Sequence, residues 1–299
     1  MTLIHWTCTL SLSLACLLGT SLVHAQADDA LEAAPTLVMS PQDKEKARQK
    51  ILEPVPAGAS RAMIEEFFES RKVLSEQQGD LGVSEQFARN WLQALPDDWQ
   101  AHWRMALAQI RVGRLADYFA YAQNAARLSP NDARRAYVQA EMALKHLHLQ
   151  ANVKDANSTM AMAEASLARF QAQVRPDRPG PQYLLARTEA RVYTVKGDME
   201  SFMSQYDAAA RSASRAVLAA QRSVALGSQM EDRRAFFGRN ELLNALNYQA
   251  RAQNMRGTLF DADQSLRQGL QIIAAGEVSN HLVAQLFTTV GRLRIQEGR

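Results

Sequence analysis

The sequence predicts an all-α fold of repeated helical hairpins, and three observations predict it. From about Ser60 the chain runs in long segments rich in Ala, Leu, Gln, Arg, Glu and Met, residues that lose little side-chain freedom on entering a helix. No stretch alternates apolar and polar residues with period two for long enough to make a strand. Helix breakers recur at one interval: Gly79 and Gly113 are 34 residues apart, and so are Pro96 and Pro130. Glycine suits the turn between two helices, and proline after the second helix stops it where the next must begin.

The chain opens on an address. Thr7 to Val23 carries no charge and holds Leu10, Leu12, Leu14, Leu17 and Leu18, followed by Val23-His24-Ala25 and Ala25-Gln26-Ala27. Small residues one and three before a cut fit signal-peptidase cleavage after Ala25 or Ala27, so residues 1–25 are expected to be a removed signal. No Lys or Arg precedes the run, which leaves an uncleaved membrane anchor as the alternative, although Ser, Thr and Gly interrupt it and it is short for a span of ~20 residues. The protein is therefore expected in the periplasm or secreted, with no span after the signal. Both cysteines, Cys8 and Cys16, leave with that segment, which excludes disulfide scaffolds, zinc-thiolate sites and cysteine nucleophiles in the remainder.

Residues 26–60 read as a linker. Pro35, Pro41, Pro54 and Pro56 fall there beside the charged run Asp43-Lys44-Glu45-Lys46, and X-Pro positions leave room for a turn or two of helix at most. Residues 61–175 form a first helical half. Pro176, Pro179, Gly180 and Pro181 make the one dense internal breaker, 176–181, and no proline follows through Arg299. Residues 182–299 form the second half. Of 34 Lys+Arg and 31 Asp+Glu in the chain, this half holds 15 and 11, against 15 and 14 in the first half taken with the breaker (61–181) and 4 and 6 in the linker. A net charge of +3 thus hides a basic C-terminal half.

Residues 65–132 resemble two tetratricopeptide repeats, with turn glycines Gly79 and Gly113 and terminal prolines Pro96 and Pro130, while Ala106, Ala125 and Ala250 stand where small residues pack helix on helix. Where the pattern has an aromatic and a Leu-Gly pair, the second repeat has His102 and Met105-Ala106. Asn244 to Ala275 continues the resemblance around Gly257. Tyr193, Gly197 and Asp198 suggest a further turn before a long second helix over about 199–226, and Gly298 the turn of one more repeat. The resemblance implies a right-handed α-solenoid. In its register the helix Asn280 to Gln296 is either a cap or the first helix of a hairpin that this chain does not finish.

No phosphate-binding glycine loop, H-E-x-x-H or G-x-S-x-G elbow occurs. His146 and His148 are two apart and so point to different faces of a helix, as expected of solvent-facing residues rather than of a metal site. His102 and His281 each follow a carboxylate by four, Asp98 and Glu277, but no nucleophile or second acid joins either pair, and Asp98 fits a helix start. Glu65-Glu66 and Glu231-Asp232 fit helix starts too. No catalytic residue, cofactor or metal is expected, and nucleic acid is a poor partner for an exported chain whose 27 Arg and 7 Lys do not cluster.

The resemblance implies binding along the first helix of each repeat, at positions 13, 10, 6 and 3 before the turn glycine. For Gly257 these are Asn244, Asn247, Arg251 and Asn254, with Asn240 one turn back. Asparagine is a mediocre helix former, so a stripe of four needs a reason, and side-chain amides that grip an extended peptide backbone supply one. Before Gly197 the positions are Leu184, Arg187, Arg191 and Thr194; before Gly298, Gln285, Thr288, Arg292 and Ile295. Before Gly113 they are Gln100, Trp103, Leu107 and Ile110, where Trp103 is an aromatic anchor or a core residue. The expected peptide-binding set is therefore Asn240, Asn244, Asn247, Arg251, Asn254, Arg187, Arg191, Arg292 and Trp103. It belongs to a scaffold for a protein or peptide segment, acidic by charge complementarity. The alternative is a sensory or positioning module at the front of a longer effector: a caspase-like peptidase, a diguanylate cyclase or an outer-membrane export protein.

Overall fold

The computed structural model describes residues 40–298 except 78, 231–233 and 277. The expected signal with both cysteines, the linker up to residue 39, Glu231-Asp232, Glu277 and Arg299 lie outside the described residues. Among those described there are twelve helices and no strand. They are α1 (Pro41–Leu52), α2 (Arg61–Gln77), α3 (Leu81–Ala94), α4 (Trp99–Arg111), α5 (Leu115–Leu128), α6 (Asp132–Gln150), α7 (Val153–Gln173), α8 (Pro179–Phe202), α9 (Tyr206–Gly227), α10 (Arg234–Arg256), α11 (Leu259–Ala274) and α12 (Asn280–Gln296). None is long and apolar enough to cross a membrane.

Side-chain oxygens open many of these helices by accepting from backbone N–H groups that have no partner within the helix: Ser40 for α1, Asp80 for α3, Asp98 for α4, Asn131 for α6 and Asn152 for α7. The helices pair into hairpins, α2/α3, α4/α5, α6/α7, α8/α9 and α10/α11, and α12 packs on the last of them. A left-handed residue follows the first helix each time: Gly79, Gly113, Ala151, Ser204, Gly257 and Gly298, at φ 77°, 77°, 51°, 60°, 87° and 71°. The interval between these turns therefore runs 34, 38, 53, 53 and 41 residues.

The fourth turn corrects the sequence reading. The chain does not turn at Gly197; α8 runs on to Phe202 and turns at Ser204. Gly197 is buried in mid-helix, where a Cβ would stand 3.3 Å from the Ala209 carbonyl and 3.4 Å from the Ala213 amide, so this glycine lets α9 come close. The inward positions counted back from the true turn are Arg191, Thr194, Asp198 and Ser201. The linker expectation also changes. Residues 41–52 form a twelve-residue helix, because Pro41 at its first turn costs no hydrogen bond and Ala47 and Ile51 find an apolar seat on α2 and α3.

Five apolar clusters form the core, and each joins one hairpin to the first helix of the next. Phe68, Phe87 and Trp91 take in Ala101 of α4; Trp103, Tyr118 and Ala122 take in Val138 and Met142 of α6. Ala140, Leu144, Met160 and Leu167 take in Val192, Val195 and Met199 of α8. Ala216, Ala219 and Ala220 join Ala190 to Ala245 and Leu246 of α10, and Leu243 and Leu266 join Leu282 and Leu286 of α12. Val174 to Arg178 is the connector from α7 to α8, with Pro179 and Pro181 in the first turn of α8, and the cluster of α6, α7 and α8 spans it. First helices also lie directly side by side, α6 on α8, α8 on α10 and α10 on α12. The result is a stack of antiparallel hairpins in which no hairpin closes its core alone.

Candidate binding surface

The side-by-side first helices carry a row of polar side chains, and the row is tied together from helix to helix. Two rungs cross the same three helices. In one, Glu141 of α6 accepts from Arg191 Nε of α8, and Arg187 of α8 faces Glu241 of α10 at 3.7 Å. In the other, His148 Nε2 of α6 bonds Asp198 Oδ2 of α8 at 2.7 Å, and Arg251 of α10 lies 3.8 Å from Asp198 Oδ1. The first rung reads acid, base, acid; the second, seven residues further along α6 and α8, reads base, acid, base. Sliding α6 by about two turns, or α10 by nearly three, would set like charges together, so the pattern favours one register.

Burial makes these interactions matter. Arg191 is 2% exposed, with Glu141 buried beside it. Glu241 is fully buried, and neither of its oxygens has a hydrogen-bond partner. Desolvation pushes its carboxyl up to about 7; Arg187 and Arg191 pull it down and Glu141 pushes it further up.

Between α10 and α12 the ties are neutral. Asn240, fully buried, donates from Nδ2 to Ser279 Oγ at 2.9 Å and accepts from the Ser279 N–H at 3.0 Å, which anchors the start of α12. Asn247 Oδ1 accepts from Thr289 Oγ1 at 2.6 Å. Two of the asparagines expected along a peptide groove thus spend their amides inside the stack.

The other expected residues divide in the same way. Asn244 is buried, Asn254 half-buried, and Arg251 keeps 31% of its side chain exposed with its guanidinium over the Tyr248 ring at 4.9 Å. Arg292 is exposed on α12 and has no ion pair among the described residues. Arg187 lies over the Phe237 ring at 5.0 Å with 12% of its side chain exposed. Trp103 packs in the core between Tyr118 and Tyr137, its ring 6.4 Å and 6.2 Å from theirs. The row therefore exposes cations toward α10 and α12 and buries ion pairs toward α6 and α8.

Sequence reasoning missed His148. It points away from its neighbour, as expected: His146, half-buried, stacks on Phe119 of α5 at 4.0 Å, while His148 stays exposed, as expected, and also reaches Asp198 of α8. A signal existed, since Glu141/Arg191 and His148/Asp198 are both complementary pairs at an offset of 50 residues. Asp98 caps α4 as expected and also accepts from Trp91 Nε1 at 2.8 Å, and His102 Nε2 bonds the Pro96 carbonyl at 2.8 Å.

The sequence matches no protein-family profile and no curated protein. Among solved structures it is similar to the crystal structure of the yeast Tom70, at 13% identity and a TM-score of 0.26, over 92% of this chain and 70% of that one. At that score the likeness is remote. The chain's own geometry, antiparallel helical hairpins with first helices packed side by side, carries the fold.

Proposed function

We propose that this chain is an exported binding scaffold that takes a segment of a partner protein, acidic by preference, along its first helices at the α10/α12 end. The carrying observation is Arg292, which stands exposed on α12 with no ion pair among the described residues, while Arg251 on α10 keeps 31% of its side chain exposed. An exposed cation such as Arg292 gains from an incoming carboxylate or chain terminus. Asn254, half-buried on the same turn as Arg251, would need its amide turned outward to serve the ligand's backbone, and Asn244 is buried beneath the row. Asn240, Asn247, Arg187 and Arg191 then act by holding the inner helices in place, and Trp103 by holding the α4/α5 core.

The test separates these roles. Fluorescence anisotropy with labelled acidic peptides should give binding that weakens with salt and falls about tenfold in Arg251→Ala plus Arg292→Ala, with the helical CD spectrum and unfolding midpoint unchanged. Binding that ignores both substitutions would sink the reading. The export half is tested by mass spectrometry of the mature chain, which should begin at Gln26 or Asp28.

A further inference from the structure

The Glu241 carboxyl is out of place for a charged group. It lies on α10 where that helix meets α8, fully buried, with no hydrogen bond to either oxygen and its nearest cation, Arg187 Nε, at 3.7 Å. A buried carboxylate is stable only when donors reach its lone pairs; a neutral carboxyl tolerates such a place at far lower cost. The charges that act on it come from α8, through Arg187 and Arg191, and from α6, through Glu141. Among the described residues, α9, α11 and α12, which also pack on α10, send no charge to it. Arg191 is committed to Glu141, and Arg187 is held over Phe237 by its stacked guanidinium.

We propose that Glu241 is a proton-operated catch between α8 and α10: neutral, it lets the two inner helices close over it, and ionised, it prises the seam open to water or to a displaced Arg187. The proton goes to solvent and returns from it, so only pH drives the change. Any ligand seated on the row would feel it as a change in the spacing of these helices, but the catch does not depend on such a ligand.

The sign follows from burial. The folded chain holds the proton more tightly than the unfolded one, so the stabilisation is complete below the ordinary glutamate range and drains away as pH rises to about 7. Hydrogen exchange of α8 and α10 amides in the full chain, corrected for intrinsic rates, should show openings about thirtyfold more frequent at pH 8.5 than at pH 5.5. α4 and α5 should show no such change, and Glu241→Gln should flatten the profile. An identical profile in wild type and Glu241→Gln overturns the proposal. If that variant does not fold, a carbon-13 titration of glutamate carboxyls in the wild-type chain decides: a Glu241 midpoint near neutrality supports the catch, and one at about 4.3 overturns it.

Discussion

Arg191 shows how a residue expected on a binding face can be indispensable for another reason. It is buried against Glu141 with both ends of the pair inside the stack. Replacing it by alanine strands a buried carboxylate, so Arg191→Ala should lower the unfolding free energy by about 3–5 kcal/mol in a urea titration. The same variant would lose any ligand by losing the site, which is why binding is better tested at Arg251 and Arg292. At the turns, Ala151 holds φ 51° where glycine would be unstrained, with its N–H bonded to the His146 and Leu147 carbonyls. Ala151→Gly should therefore stabilise by about 0.5–1 kcal/mol, read as a raised urea midpoint. Gly79, Gly113 and Gly257 were legible as turns because they are glycines. Ala151 and Ser204 were not, and Gly197 was misread, because composition does not tell a left-handed turn from a close approach.

At the scale of the element, the inner helices were legible as helices and illegible in length. The 34-residue interval located α2 to α5, and nothing local announced that the intervals after it run 38, 53 and 53. Length there comes from packing: α8 and α9 stay in contact through small residues, Gly197, Ala209 and Ala213. The α9/α10 approach is tighter still. A Cβ on Gly238 would stand 3.1 Å from the Val224 backbone, which cannot rotate away. Alanine ordinarily gains about 1 kcal/mol over glycine in a helix, yet Gly238→Ala should lose about 1–3 kcal/mol, measured by thermal or urea unfolding. The asparagine stripe was seen correctly as a stripe, but its use was hidden. Partners at offsets of 39 and 42 residues, Ser279 and Thr289, become visible only once α12 is placed.

The whole molecule is a chain of cores in which every hairpin borrows its closing wall from the next. Stability should then be graded along the stack, since interior helices are covered from both sides and the α12 face bearing Phe287 and Ile295 is not. Native-state hydrogen exchange should rank amides of α6 to α9 as the best protected and those of α1 and α12 as the least. Uniform protection would mean one cooperative unit instead. The fold class was legible from periodicity and breakers because helical hairpins are local. The two charged rungs were not, because they depend on which residues meet across helices some 50 positions apart.

First helices of unequal length give the row a short wall at α4 and a tall one at α8 and α10, between end helices α2 and α12 of 17 residues each. At about 1.5 Å per residue, α4 with its 13 residues is about 20 Å long, while α8 with 24 and α10 with 23 reach about 35 Å. The deepest wall of the row therefore stands at α8 and α10, and a guest at the proposed site would meet a deep wall on α10 and a shallower one on α12, so its two ends would not be interchangeable.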